Sequence, residues 1–241
     1  MSPKIVFRTL GPETLLMEWP EVINKETLTS VTDYFKAISN ELAEQIITCY
    51  PAYCSIAIHF DSDRISAAKL QESIRQLDLK EGQKSERPCW ELPVCYAEVY
   101  GVDLPRMAEV KKIDPEEIIL LHTQTSHSVH FFGFLPGFMY LGGLPTALHH
   151  PRKQTPTRKI QQGSVAIGGS QTGIYPSSSP GGWHVIGNCP VPMFDPSKNP
   201  PCFIRMGDEV KFNAVEVDEY LSIKELIAQG KYNPKTTALD G

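Results

Sequence analysis

The 241-residue sequence predicts an α+β chain made of two units. Three observations carry that reading. Up to Leu79 the apolar spacing switches between period two and spacings of three and four, in the order ββαββα. A polar break that ends in proline then runs from Glu81 to Pro88. From Val129 onward, short apolar runs alternate with Gly and Pro, the punctuation of a β-barrel or sandwich.

In the first unit, Lys4–Thr9 and Thr14–Trp19 form a predicted hairpin around Leu10-Gly11-Pro12. Asn24 can cap a helix whose Leu28, Val31, Phe35, Ile38 and Leu42 recur at alternating spacings of three and four, a stripe that packs on a sheet. Strands at Ile46–Tyr50 and Tyr53–Phe60 follow, and Ser66 caps a second helix with Leu70, Ile74 and Leu77 inward. The expected result is a small mixed sheet with helices on one face. The break gives a domain at 1–85, a second at 89–230, and a loose tail at 231–241.

The second unit opens with a strand at Glu91–Val99 and a short helix at Leu104–Val110. Another helix starts at Asp114-Pro115-Glu116-Glu117, which supplies a cap, a proline at the first helical position and an acid, and it ends near His122. Strands are expected at Val165–Ile167, Gly173–Tyr175, His184–Ile186, Val191–Phe194, Phe203–Arg205 and Glu209–Phe212, with a closing helix at Glu216–Gln229.

A formal net charge of −5 argues against a nucleic-acid partner, which needs a concentrated excess of Lys and Arg. Cys49, Cys54, Cys89, Cys95, Cys189 and Cys202 show no metal-ligand spacing and read as buried thiols in a reducing cytoplasm. Met1–Leu10 is neither a signal peptide nor a membrane span, and no later run is long enough to cross a bilayer. Gly168 and Gly173 have the interval of a P-loop, but Ile174-Tyr175 follows where Lys-Ser/Thr is required, so no nucleotide motif is present. His127 and His130, if on a strand, point to opposite faces, which argues against joint metal ligation.

Chemistry concentrates between Gly133 and Gly187. Phe134, Phe138, Tyr140, Tyr175 and Trp183 are first of all barrel-core residues, but they share the segment with Arg152, Arg158 and His184. Together these suggest an aromatic pocket with a few polar anchors for a small molecule. In Gly169-Ser170-Gln171-Thr172-Gly173, consecutive backbone N–H groups and short polar side chains could hold a carboxylate or phosphate; the simpler reading is a tight hairpin. The run Pro151-Arg152-Lys153 is an anion clamp or a solvated loop. No residue stands out as a nucleophile.

Phe134-Leu135-Pro136-Gly137-Phe138, Tyr140-Leu141-Gly142-Gly143, Gly163-Ser164-Val165, Gly169 to Pro176, Ser179-Pro180-Gly181-Gly182-Trp183 and Phe194-Asp195-Pro196 together resemble the allophanate hydrolase subunit 1 family. That family includes the B component of 5-oxoprolinase and the Kip inhibitor of a sporulation histidine kinase, and a related region occurs within urea carboxylase. Met139, Thr157 and Gln161 depart from its usual proline, arginine and proline, and His127, Ser128 and His130 depart from its Tyr-Arg-Val-Tyr pattern. The resemblance implies a small N-terminal α/β domain followed by a cyclophilin-like β-barrel. It also implies ATP-dependent opening of 5-oxo-L-proline to L-glutamate, shared with the sister A and C components of 5-oxoprolinase, with ATP used by the assembled complex. The other members imply an inhibitor of a sensor histidine kinase, or an allophanate hydrolase or urea carboxylase-related subunit.

Overall fold

A computed structural model describes residues 4–79 and 87–239, which fall into two compact units, Met1–Ser85 and Glu86–Gly241. Most of the expected linker, residues 81–86, lies outside the described residues.

The first unit runs β1 (Val6–Thr9), β2 (Thr14–Glu18), α1 (Lys25–Glu41), β3 (Thr48–Pro51), β4 (Ser55–His59) and α2 (Ala67–Arg75). Its sheet, ordered β1-β2-β4-β3, is antiparallel throughout and not mixed as expected, because each strand pairs with a hairpin or cross-sheet neighbour running the other way. Strand alternation decides its buried face. Leu15 and Met17 lie opposite Ile58 and Ile56, and all four are buried. Helix α1 contributes Leu28, Val31 and Ile38 to this core, and α2 contributes Leu70 and Ile74. Both helices start where their caps are written: Asn24 Oδ1 accepts from Thr27 N at 2.8 Å, and Ser66 Oγ accepts from Lys69 N at 3.3 Å.

The second unit begins with β5 (Arg87–Val94), α3 (Leu104–Lys111), α4 (Pro115–Thr123), β6 (Ser126–Phe132), β7 (Met139–Gly142), β8 (Thr157–Ile160) and β9 (Ser164–Gly168). It continues with β10 (Gln171–Ile174), β11 (Ser179–Gly181), β12 (His184–Asn188), β13 (Glu209–Ala214), α5 (Val217–Ala228) and β14 (Lys235–Leu239). Eight strands form one sheet in the order β12-β9-β10-β7-β6-β13-β5-β14, while β8 and β11 make a separate ribbon. One face carries Leu92, Val94, Leu141, Val165, Ile167, Ile174, Ile186, Val210 and Phe212, covered by Leu104 and Met107 of α3 and Ile118 of α4.

Two expectations are corrected here. Residues 191–208 contain no strand: Pro190, Pro192, Pro196, Pro200 and Pro201 offer no N–H to a ladder. The tail is not loose, because β14 pairs antiparallel with β5, Thr236 opposite Trp90, and uses an edge whose backbone groups would otherwise lack partners. His127 and His130 do diverge on β6. His127 lies beside His122 and Phe212, whereas His130 fills the space that a side chain at Gly142 would need.

Candidate functional site

Phe138, 1% exposed, is the centre of an aromatic cluster on the other face of the sheet. Its ring centroid lies 5.1 Å from Tyr140, 5.2 Å from Tyr175, 5.4 Å from Trp183 and 5.6 Å from Phe134, every contact edge-to-face. Three glycines make room for these rings. A Cβ on Gly168 would stand 2.5 Å from the Trp183 indole, one on Gly173 would stand 3.2 Å from Phe138 Cζ, and one on Gly181 would strike the Tyr175 hydroxyl. The mixture of glycine and aromatics seen in the sequence is therefore a packing requirement. Phe134 is different: it adopts φ 66° at the tip of its loop and is 59% exposed, an unusual conformation for a large side chain. Burial pushes the Tyr175 phenol up to about 12, with the Trp183 backbone and the Arg152 charge acting in the opposite direction.

A strap of four residues, His150 to Lys153, crosses this region and is tied at almost every position. His150 and Gly169 exchange backbone hydrogen bonds at 2.9 and 2.7 Å. His184 Nε2–H donates to Pro151 O at 3.0 Å, and Lys153 N donates to Gly182 O at 2.7 Å. Lys153 Nζ donates to both Asp103 oxygens at 2.9 and 2.7 Å and to Thr157 Oγ1 at 3.0 Å, while Asp103 Oδ2 also accepts from Val185 N. The Arg152 side chain makes no hydrogen bond among the described residues. Its guanidinium lies 5.6 Å from the centre of the Trp183 ring, within cation–π range.

The ring of His150, at the start of the strap, meets that of His184 edge-to-face at 4.4 Å. Burial lowers both pKa values, with the neighbouring histidine and Lys111 adding to the effect at His150. The hydrogen bond to Pro151 fixes the His184 proton on Nε2.

The remaining expected residues divide. Gly169, at φ 68°, and Ser170 form the exposed tip of the β9–β10 hairpin. Gln171 is half-buried, and its Oε1 is buried without a hydrogen-bond partner. Thr172 is fully buried on the opposite face: it accepts from His122 Nε2–H at 2.9 Å and donates to Ala166 O at 3.2 Å, so it cannot serve a ligand at the turn. Arg158 is exposed on β8 and makes no hydrogen bond or ion pair among the described residues. Asp103 and His150 were not singled out from the sequence, Lys153 entered only as part of the basic run, and the 50 residues between Asp103 and Lys153 leave no local signal for their pairing. A cavity of about 670 Å3 lies in the first unit, lined by Lys25, Ser30, Asp33 and Tyr34 among others, but none of the expected site residues borders it. Among the described residues there is no group of three or more His, Cys, Asp or Glu suited to a metal, and no helix long and apolar enough to cross a membrane.

A chain with this eight-stranded sheet, ribbon and aromatic cluster has relatives among known proteins. Residues 5–204 match the family described as carboxyltransferase domain, subdomain C and D, and the chain belongs to that family. Within it the chain is similar to the B component of 5-oxoprolinase from Bacillus subtilis, 34% identical over 237 residues that cover 93% of this chain and 99% of the relative. It is also similar to the protein of the same name from Haemophilus influenzae, 48% identical over 122 residues that cover 51% of this chain and 57% of the relative. These matches support the family resemblance carried by Phe134 to Asp195. The urea carboxylase of Kluyveromyces lactis shares the fold, with a TM-score of 0.81 at 18% identity over 99% of this chain and 24% of that one.

Proposed function

We propose that the chain is the B-type component of an ATP-dependent 5-oxoprolinase, which converts 5-oxo-L-proline to L-glutamate in a complex with its sister A and C components. The observation that carries this reading is the end-to-end likeness to the Bacillus subtilis protein, which spans both units of the chain and nearly all of the relative. The second unit serves as a cyclophilin-like barrel that presents the strap, and the complex works in the cytoplasm, where the six free thiols stay reduced.

Opening the lactam by phosphorylating its amide oxygen places new negative charge at the ring and needs donors arranged in advance. Arg152 is the group this chain offers. Its backbone is held on both sides by hydrogen bonds, and its side chain is free to form a two-pronged contact with a carboxylate. Phe134, exposed at the tip of its loop, supplies apolar surface for the ring. ATP is bound by the assembled complex; no nucleotide motif is present in this chain. The kinase-inhibitor alternative would centre an apolar docking surface on Phe138 and Trp183, whereas both rings are packed into the cluster, 1% and 4% exposed.

The test is reconstitution. Mixed with its partner subunits, ATP and 5-oxoproline, the chain should support glutamate release that none of the components gives alone. Release by this chain alone would overturn the shared site, and failure of every mixture would overturn the assignment.

A further inference from the structure

Three polar groups beside the outer face of the sheet make no hydrogen bond to the described residues. One is Gln171 Oε1, which is buried. Another is the Trp183 indole N–H, for which no acceptor exists among the described residues, and the last is the Arg152 guanidinium. They lie together. Gln171 is paired directly with Gly168 across the β9–β10 ladder, so its side chain rises on the same face as the space above Gly168. Trp183 fills that space: Nε1 and Cδ1 each stand 2.5 Å from where a Gly168 Cβ would be. Arg152 lies over the same indole at 5.6 Å. Gly173, two residues beyond Gln171 and therefore on the same face, lies beneath Phe138 and Trp183.

A buried carbonyl acceptor without a donor is costly, and such a group calls for an explanation. The three groups are an acceptor, a neutral donor and a cationic fork. A lactam in a five-membered ring holds its N–H and C=O on the same side of a cis amide, so it offers one donor and one acceptor along one edge, and 5-oxoproline adds a carboxylate at the neighbouring carbon. We infer that Gln171 is the residue that reads the lactam N–H, with the Trp183 indole N–H on the lactam oxygen and Arg152 on the carboxylate. The inference rests on the proposed 5-oxoprolinase reading and gives it a specificity element that a general anion clamp lacks. Gln171 forms no bond to the substrate and transfers no proton. It distinguishes an amide from an ester of the same shape, because an ester oxygen in place of N–H would face Oε1 and leave it unpaired.

The discriminating pair is 5-oxoproline and its lactone counterpart, 5-oxotetrahydrofuran-2-carboxylate, which keeps the ring, the carbonyl and the carboxylate but has no N–H. In the reconstituted complex the parent should prefer the lactam, with the lactone acting as a weak competitor. Gln171→Met keeps the length and loses the acceptor, and it should reduce that preference by about ten- to hundredfold while the lactone inhibition constant stays near its parent value. Trp183→Phe, as a second variant, should weaken both ligands together, because both carry the carbonyl.

Side-chain nuclear magnetic resonance of the chain, free and in the complex, gives a readout that does not depend on turnover. 5-Oxoproline should shift the Gln171 amide and Trp183 indole signals, and the lactone should shift the indole alone. A complex that is active but whose lactam preference survives Gln171→Met overturns the inference and leaves the proposed function standing. An inactive complex in which 5-oxoproline still moves both signals overturns the function and leaves the lactam site standing. Silence of both signals at saturating 5-oxoproline overturns the inference whatever the activity.

Discussion

Gly168 and Trp183 compete for one space: a Cβ on the glycine would stand 2.5 Å from indole Cδ1 and Nε1, closer than non-bonded atoms approach. Trp183 is hemmed in by Phe138 and Tyr140 and cannot retreat without moving the cluster. Gly168→Ala should therefore destabilise the second unit by about 1–3 kcal/mol, the usual scale of overpacking. Gly182→Ala is the control. Its new methyl would meet Lys153 O at 3.6 Å and Arg152 Cβ at 4.0 Å, ordinary contacts, and its effect should stay within about 0.5 kcal/mol. Urea unfolding of the two variants measures both, and equal midpoints would show that the indole yields.

Acid should destabilise the second unit before its carboxylates titrate. His122 is wholly enclosed, stacked on Phe212 at 4.6 Å, with Nδ1 accepting from the Tyr96 hydroxyl and Nε2–H donating to Thr172. Burial, with a smaller effect from His127, holds its pKa well below 6.5, and burial lowers His130 to about 4. The unfolded chain takes up protons at these positions as pH falls through about 6.5, and the folded chain resists until far lower pH. Their stabilisation is thus complete above about pH 6.5 and is lost as pH falls toward about 4, each group adding at most about 1.4 kcal/mol per pH unit. Unfolding midpoints at about pH 7 and pH 5 test the sign. The loss should shrink in His130→Asn, and an unchanged midpoint across that range would contradict the neutral-histidine assignment.

What was legible in the sequence follows the range of the interactions. The starts of α1 and α2 are set by Asn24 and Ser66, each bonding to a residue three positions on, and both were recoverable. The strand expected at Val191–Phe194 failed because Pro192 removes a ladder donor from an otherwise apolar run, and the one at Phe203–Arg205 because Arg205 N donates to the Asp208 carboxylate in a turn. β14 was missed because Lys235–Leu239 pairs with β5, far away in sequence. The site shows the same division. Glycine and aromatic residues marked the segment, but the unpaired state of Gln171 Oε1, the burial of Thr172 and the ties on the strap depend on contacts that no local pattern encodes.

The two units should fold apart from one another. Each has its own buried core, with Leu15, Met17, Ile56 and Ile58 in the first and Leu92, Val94, Val210 and Phe212 in the second. Chains 1–85 and 86–241, expressed separately, should each give a cooperative unfolding transition by circular dichroism. Two fragments that both lack one would make the chain a single folding unit.

Asp103 should act on stability and activity together. Its carboxylate accepts from Lys153 Nζ and from Val185 N–H, and its side chain is 18% exposed. Asp103→Asn would keep the shape but weaken the ion pair that secures the strap, at a cost of about 1–3 kcal/mol. Because the strap carries Arg152, the Michaelis constant for 5-oxoproline should rise in the reconstituted complex, and little of that rise should remain when Arg152 is already alanine. Fully additive effects in the double variant would show that Asp103 works independently of Arg152.

Arg152 offers the clearest contrast between stability and function. It is exposed, makes no hydrogen bond among the described residues, and touches the fold through one cation–π contact with Trp183 worth about 0.5–1 kcal/mol at an exposed site. Arg152→Ala should accordingly leave the melting temperature nearly unchanged. If its fork clamps the substrate carboxylate, loss of that charge-assisted contact should reduce the activity of the reconstituted complex by about a hundredfold or more. Arg152→Lys separates charge from geometry. Lysine keeps the positive charge but loses the planar fork and its stacking on the indole, so it should recover only a small part of the activity. Full activity in the lysine variant would reduce the role of Arg152 to general electrostatic attraction. Full activity in the alanine variant, at matched assembly of the complex, would make the strap a solvated loop and remove the carboxylate site from it.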